Sequence, residues 1–128
     1  MVIADYFKSI EHLLSNSKLI ADKTIDLKEF SSEEGMVTGR LLFLGGYTLN
    51  FMEYILIGQQ RPKYRFNLSD SKGKLIFRYD NAPHHKEIPT FPHHKHLGTQ
   101  VKPSKEVGLE EVISDIEIMI LTESNRQC

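Results

Sequence analysis

The sequence predicts an α+β fold, a five-stranded antiparallel meander sheet with an N-terminal and a C-terminal helix packed on one face. Three observations predict it. Apolar residues recur at helical spacing near both ends of the chain, and between them the pattern changes to period two. Short runs rich in glycine, serine and aspartate interrupt the alternation, at lengths that suit hairpins rather than parallel crossovers. The 128 residues are expected to form a single domain, 1–128, large enough to build a core without staples.

The first helix is expected over residues 2–15. Val2, Ile3, Tyr6, Phe7, Ile10, Leu13 and Leu14 form its apolar face, and Asp5, Lys8, Glu11 and His12 its polar one. Ser15-Asn16-Ser17 breaks the pattern. Strands follow at about 19–28, 36–44, 47–57, 61–68 and 74–80. The turns between them are Ser31 to Gly35, Gly45-Gly46, Gly58-Gln59-Gln60 and Ser69 to Gly73. Gly45-Gly46 suits a tight hairpin, in which glycine supplies positive φ. The fourth strand places Tyr64, Phe66 and Leu68 on one face and Lys63, Arg65 and Asn67 on the other; the fifth separates Phe77 and Tyr79 from Arg78 and Asp80. A loop rich in histidine spans 81–103. The last helix is expected over 105–122, capped by Ser104 and carrying Leu109, Val112, Ile113, Ile116, Met119 and Ile120 inward, with Ser124 to Cys128 frayed.

Composition excludes several classes. Hydrophobic residues at 40% and charged residues at 26% are ordinary for a globular protein. The single cysteine, Cys128, offers no disulfide framework and no cysteine metal cluster. The opening residues lack the basic and apolar regions of a signal peptide, and the apolar runs are far below the ~20 residues that span a bilayer, so a cytoplasmic protein with no membrane partner is expected. No P-loop, dinucleotide-binding glycine pattern or serine nucleophile motif is present.

The net charge of −1 conceals an uneven distribution. Residues 60–105 hold 10 Lys/Arg against 3 Asp/Glu, whereas residues 106–128 hold 1 against 6. Clustered cations with interleaved aromatics, as in Tyr64-Arg65-Phe66 and Phe77-Arg78-Tyr79, are the footprint of a phosphate-backbone binder. The same third holds His84, His85, His93, His94 and His96, five of the six histidines, within 13 residues. Three of the five prolines, Pro83, Pro89 and Pro92, fall within residues 77–96 and exclude a regular helix or a central strand there.

The run Phe77-Arg78-Tyr79-Asp80-Asn81-Ala82-Pro83-His84-His85, followed by Thr90-Phe91-Pro92-His93-His94-Lys95-His96, resembles the signature of the TumE-like family. These are small prokaryotic proteins assigned as toxins of type II toxin–antitoxin modules. Lys63-Tyr64-Arg65-Phe66 and Glu53 also fall where that family's strand motifs are expected. The resemblance covers most of the chain and implies a cognate antitoxin, typically a helix-turn-helix DNA-binding protein. It does not deliver a chemical mechanism.

The chemistry follows from side chains instead. A metal-independent ribonuclease needs a base for the 2′-hydroxyl, an acid for the leaving 5′-oxygen and cations for the phosphorane charge. His84, His85, His93, His94 and His96 are the candidate proton carriers, and Asp80 is placed to orient an imidazole. Arg65, Arg78 and Lys95 are the candidate phosphate ligands; Tyr64 and Tyr79 are candidates to stack on unpaired bases. Glu53 lies in an otherwise apolar register of the third strand. It pairs with an arginine on a neighbouring strand, acts as a general acid/base with a raised pKa, or turns outward at a bulge. No cofactor is required by this scheme. Two alternatives stand beside it. One is a metal site in which His94 and His96 are joined by His84 or Glu87, against the cost of placing a divalent cation among so many positive charges. The other is a non-catalytic module that binds nucleic acid or a protein partner, its histidine loop held by hydrogen bonds to backbone carbonyls.

Overall fold

The computed structural model describes residues 1–59 and 61–126, with side chains as far as Glu123. Its elements are α1 (Ile3–Asn16), β1 (Ile20–Glu29), β2 (Glu34–Phe43), β3 (Thr48–Leu56), β4 (Lys63–Ser69), β5 (Leu75–Asp80), β6 (His94–Leu97), β7 (Gln100–Pro103) and α2 (Leu109–Arg126). The strands form one sheet in sequence order, and every neighbouring pair is antiparallel.

Strict alternation in β2 to β5 separates the two faces. Val37, Leu41, Leu49, Phe51, Ile55, Tyr64, Phe66, Leu68, Phe77 and Tyr79 point to one side and are buried. Helix α1 covers them with Ile3, Phe7, Ile10 and Leu14, and α2 with Leu109, Val112, Ile113, Ile116 and Ile120. Each such side chain contributes about 1.5–3 kcal/mol of gross burial, so these stripes rather than helix propensity fix the helices. Both lie on the same face: Tyr6 of α1 donates to Glu53, and Tyr79 donates to Asp115 of α2. Close approach at Gly35 seats α1, since a Cβ there would lie 2.6 Å from Ile3 Cγ1. Gly45 and Gly46 turn β2 into β3 with φ of 94° and 85°, as the hairpin expectation required.

The α+β class and the antiparallel sheet agree with the sequence, but the sheet has seven strands, not five. The extra two, β6 and β7, lie inside the stretch expected as loop 81–103. Each is only four residues long and largely polar, so neither presents the apolar alternation by which the others are read. Pro103 is accommodated because β7 is an edge strand. Helix α2 also starts later than expected, at Leu109. Ser104 is not its cap, because the Ser104 hydroxyl donates to the Lys105 carbonyl and residues 104–108 form no helix. Helical backbone continues to Arg126, where fraying was expected; Gln127 and Cys128, like Gln60 of the third turn, lie outside the described residues.

Candidate active site

Asp80, the last residue of β5, organises the site. Its Oδ1 accepts from the Ala82 backbone N–H at 3.0 Å, which turns the chain out of the strand, and lies 2.8 Å from His94 Nε2. Its Oδ2 lies 3.3 Å from Arg78 Nε and 3.7 Å from His96 Nε2. The Arg78 contact is close in distance but misaligned, so Arg78 Nε is buried without a hydrogen-bond partner among the described residues. The next residue, Asn81, accepts from the Tyr64 backbone N–H at 3.0 Å and so ties the turn to β4.

His94 and His96 alternate on β6 and share the face of Asp80, with ring centroids 4.8 Å apart. The other nitrogen of His94, Nδ1, lies 2.9 Å from the Pro92 carbonyl. Both His94 nitrogens therefore face acceptors, and the form carrying both ring protons satisfies them in full. His94 is buried, at 2% exposure, and its ring is fixed by the two contacts, to Asp80 and to the Pro92 carbonyl. His96 is partly open. Burial, then the Arg78 cation, lowers its pKa below the ordinary imidazole value, with Asp80 acting in the opposite sense.

The third ring reaches the cluster from the loop. Consecutive turns over 82–93 are pinned by buried Ile88 and by Thr90, whose hydroxyl donates to the His93 carbonyl at 2.7 Å and accepts from the Ser104 N–H at 3.0 Å. The Phe91–Pro92 peptide is cis. His85 holds φ of 60°, a left-handed conformation that non-glycine residues rarely adopt and that concentrates at functional sites. It brings the His85 ring to 5.2 Å from His94 and 5.8 Å from His96.

The three rings open into a cleft of about 520 Å³, bordered also by Met52, Lys63, Arg65, Arg78, Ala82 and exposed His84. Arg65 stands directly opposite Asp80 across the β4–β5 pair. The cleft thus joins imidazoles to two guanidiniums and a lysine around one sequestered carboxylate. His85, His94 and His96 place a ligand atom each within 4.8 Å of the others, and are the set that could hold a metal ion.

Of the residues singled out in the sequence, His84, His85, His94, His96, Asp80, Arg65 and Arg78 meet here. The others are placed elsewhere, and alternation is the reason. Tyr64 and Tyr79 are 1% and 6% exposed beneath the helices, so neither offers a ring to an unpaired base. Although Tyr64 borders the cleft, its hydroxyl lies 2.7 Å from His93 Nδ1, and the two rings stack. His93 is thereby drawn away from the cluster. Lys95 also faces the covered side, with Nζ 4.7 Å from the Tyr79 ring centroid. Glu53 is fully buried there too, accepting from Tyr6 at 2.9 Å and from Arg61 at 2.5 Å. Of its three readings, the pairing with an arginine is present and the outward turn at a bulge is not. Arg61 precedes β4 and also meets Glu106 and the Val107 carbonyl. Burial raises the Glu53 pKa against the pull of Arg61 and Tyr6. Lys63 and Met52 were not singled out as site residues; the parity they share with Arg65 and Asp80 on paired strands is the signal that finds them.

A helix-backed antiparallel sheet, its other face carrying a histidine–aspartate cluster between arginines, defines a small α+β protein with a cationic, imidazole-lined cleft. The family model described as Toxin TumE matches residues 10–123, and the chain belongs to this toxin family. Membership implies an antitoxin partner. No curated protein and no solved structure matches the chain. No helix among the described residues is long and apolar enough to cross a membrane.

Proposed function

We propose that the chain is a toxin that cleaves RNA in this cleft by metal-independent transesterification. The observation that carries the reading is the gathering of His85, His94 and His96 around Asp80, beside Arg65 and Arg78. His96, favoured in its neutral form, accepts the 2′-hydroxyl proton as the 2′-oxygen–phosphorus bond forms. His85, across the cleft, protonates the 5′-oxygen as its bond to phosphorus breaks. The products are a 2′,3′-cyclic phosphate and a 5′-hydroxyl end. Arg65 and Arg78 hold the non-bridging oxygens, for which guanidinium geometry is suited. His94, tied to Asp80 and to the Pro92 carbonyl, is a positioning residue for His96. His84 sits at the rim.

The antitoxin, a helix-turn-helix DNA-binding protein by the resemblance, neutralises the toxin by covering the cleft. Incubating purified protein with RNA in excess chelator tests the chemistry. Cleavage should persist, and His85→Ala or His96→Ala should each lower the rate about 10²–10⁴-fold. A second reading rests on the spacing of the three imidazoles, within 4.8 Å, which suits a divalent cation. Loss of cleavage in chelator, restored by zinc or manganese, would select that reading.

A further inference from the structure

The cleft is one end of a longer polar path across the uncovered sheet face. Cross-strand register places Arg40, Asn50, Asn67, Arg78 and His96 in one row, one residue on each strand from β2 to β6. Beside it runs a second row of Thr38, Met52, Arg65, Asp80 and His94. Arg40, Asn50 and Arg65 are exposed, and Asn67 and Arg78 are half-buried. Two features close the path to other occupants. Its acid, Asp80, is already engaged by His94 and Ala82, and Glu34, the remaining carboxylate of β2 to β5 on this face, is engaged by the Tyr54 hydroxyl. At the far end β1 pairs Asp22 with Leu42 and Asp26 with Thr38, and Lys28 lies 3.8 Å from Asp26, so charges of both signs border the path beyond Arg40. At the near end Arg78 Nε is buried and lacks a hydrogen-bond partner among the described residues.

We infer that this row is a binding track for single-stranded RNA, running across the strands from the histidine cluster on β6 to Arg40 on β2. The inference rests on the proposed RNA reading and extends it to the substrate class. Strands stand about 4.8 Å apart, so the row spans about 19 Å, a length matched to the shortest single-strand platforms of about 4 nucleotides. Arg78 and Arg40 meet phosphates at its two ends. Asn67 and Asn50 between them present amides that both donate and accept, suited to the edges of unpaired bases. Met52 supplies an apolar surface beside the cleft. A duplex would hide those edges and bridge the row poorly.

Binding is measured by fluorescence anisotropy with a His85→Ala protein, which suppresses cleavage and keeps every residue of the row. Oligoribonucleotides of increasing length and one duplex are titrated at several salt concentrations. Affinity should climb with length to about 4 nucleotides and level off, the duplex should bind at least tenfold more weakly, and Arg40→Glu should lower affinity for long strands about tenfold while leaving a dinucleotide unaffected. Losing the Arg40 contact should also flatten the log K against log [salt] slope by about 0.7. Unchanged long-strand affinity in Arg40→Glu, with loss in Arg78→Glu, would overturn the track and leave the cleft reading intact. Loss of antitoxin rather than RNA in Arg40→Glu would also overturn it, assigning the row to the partner. RNA held along the row yet left uncut by the wild-type protein would uphold the track and reject the cleavage chemistry.

Discussion

Asp80 and Glu53 are carboxylates in opposite circumstances. Asp80 meets His94, Ala82, Arg78 and His96 at the mouth of a cleft, whereas Glu53 is sealed under the helices with Arg61 and Tyr6. Replacing Asp80 with Asn retains the shape and removes the charge that fixes His94. We expect kcat to fall with KM little changed, and the acid limb of the pH–rate profile, set by His96 among Arg78, Asp80, His94 and His85, to move, because Asp80 is the group that raises the His96 pKa. A stability role alone would leave that limb in place. Glu53→Ala should instead strip buried Arg61 of its closest counter-charge and leave it only Glu106 and the Val107 carbonyl, costing about 3 kcal/mol in denaturant unfolding. Its linkage has a definite sign. Because burial raises the folded pKa of Glu53, its contribution to stability is fully present below the ordinary carboxylate range and is lost as pH rises through the folded value. Glu53→Gln should remove that decline, and a wild-type stability curve that rises over the same interval would contradict the assignment.

At the scale of elements, alternation does most of the work. The parity of β4 and β5 was legible: it separates Tyr64, Phe66, Phe77 and Tyr79 from Arg65, Arg78 and Asp80, and the structure buries the first set. Its consequence for Tyr64 and Tyr79, that a core-facing tyrosine cannot stack on a base, overrides the attraction of reading aromatics beside arginines. Lys95 and His93 could not be placed without knowing that 94–97 is a strand, and four mostly polar residues carry too little pattern to show it. The late start of α2 was hidden for a different reason. Ser104 has the chemistry of a cap, but Val107 is drawn into the core ahead of the helix and its carbonyl binds Arg61. Tertiary contacts of that kind have no local signature. Packing across β2 offers a separate check: a Cβ at Gly39 would lie 2.5 Å from Phe51 and 2.7 Å from Ile25. Gly39→Ala should therefore destabilise by about 1–3 kcal/mol, read as a lowered melting temperature with RNA binding by the refolded protein preserved.

For the whole molecule, the cations of residues 60–105 are divided rather than pooled. Lys63, Arg65 and Arg78 face the cleft, Lys95 faces the helix side, and Arg61 is spent in the core. The acidic helix α2 lies on the face opposite the cleft, with Asp115 accepting from Tyr79. An antitoxin that covers the cleft should thus be indifferent to Glu110→Lys and Glu111→Lys, while Arg78→Glu should weaken RNA and antitoxin together, because like charge across an interface repels both. Isothermal titration with the antitoxin decides this; unchanged antitoxin affinity in Arg78→Glu would place the partner elsewhere. The measurement that bears most directly on the central claim is cleavage of single-stranded RNA by metal-stripped protein in excess chelator, with end-group analysis of the products. The expected products carry 2′,3′-cyclic phosphate and 5′-hydroxyl ends, lost with His85→Ala or His96→Ala and retained with His93→Ala. Intact RNA under these conditions, or cleavage that survives both substitutions, would contradict that claim.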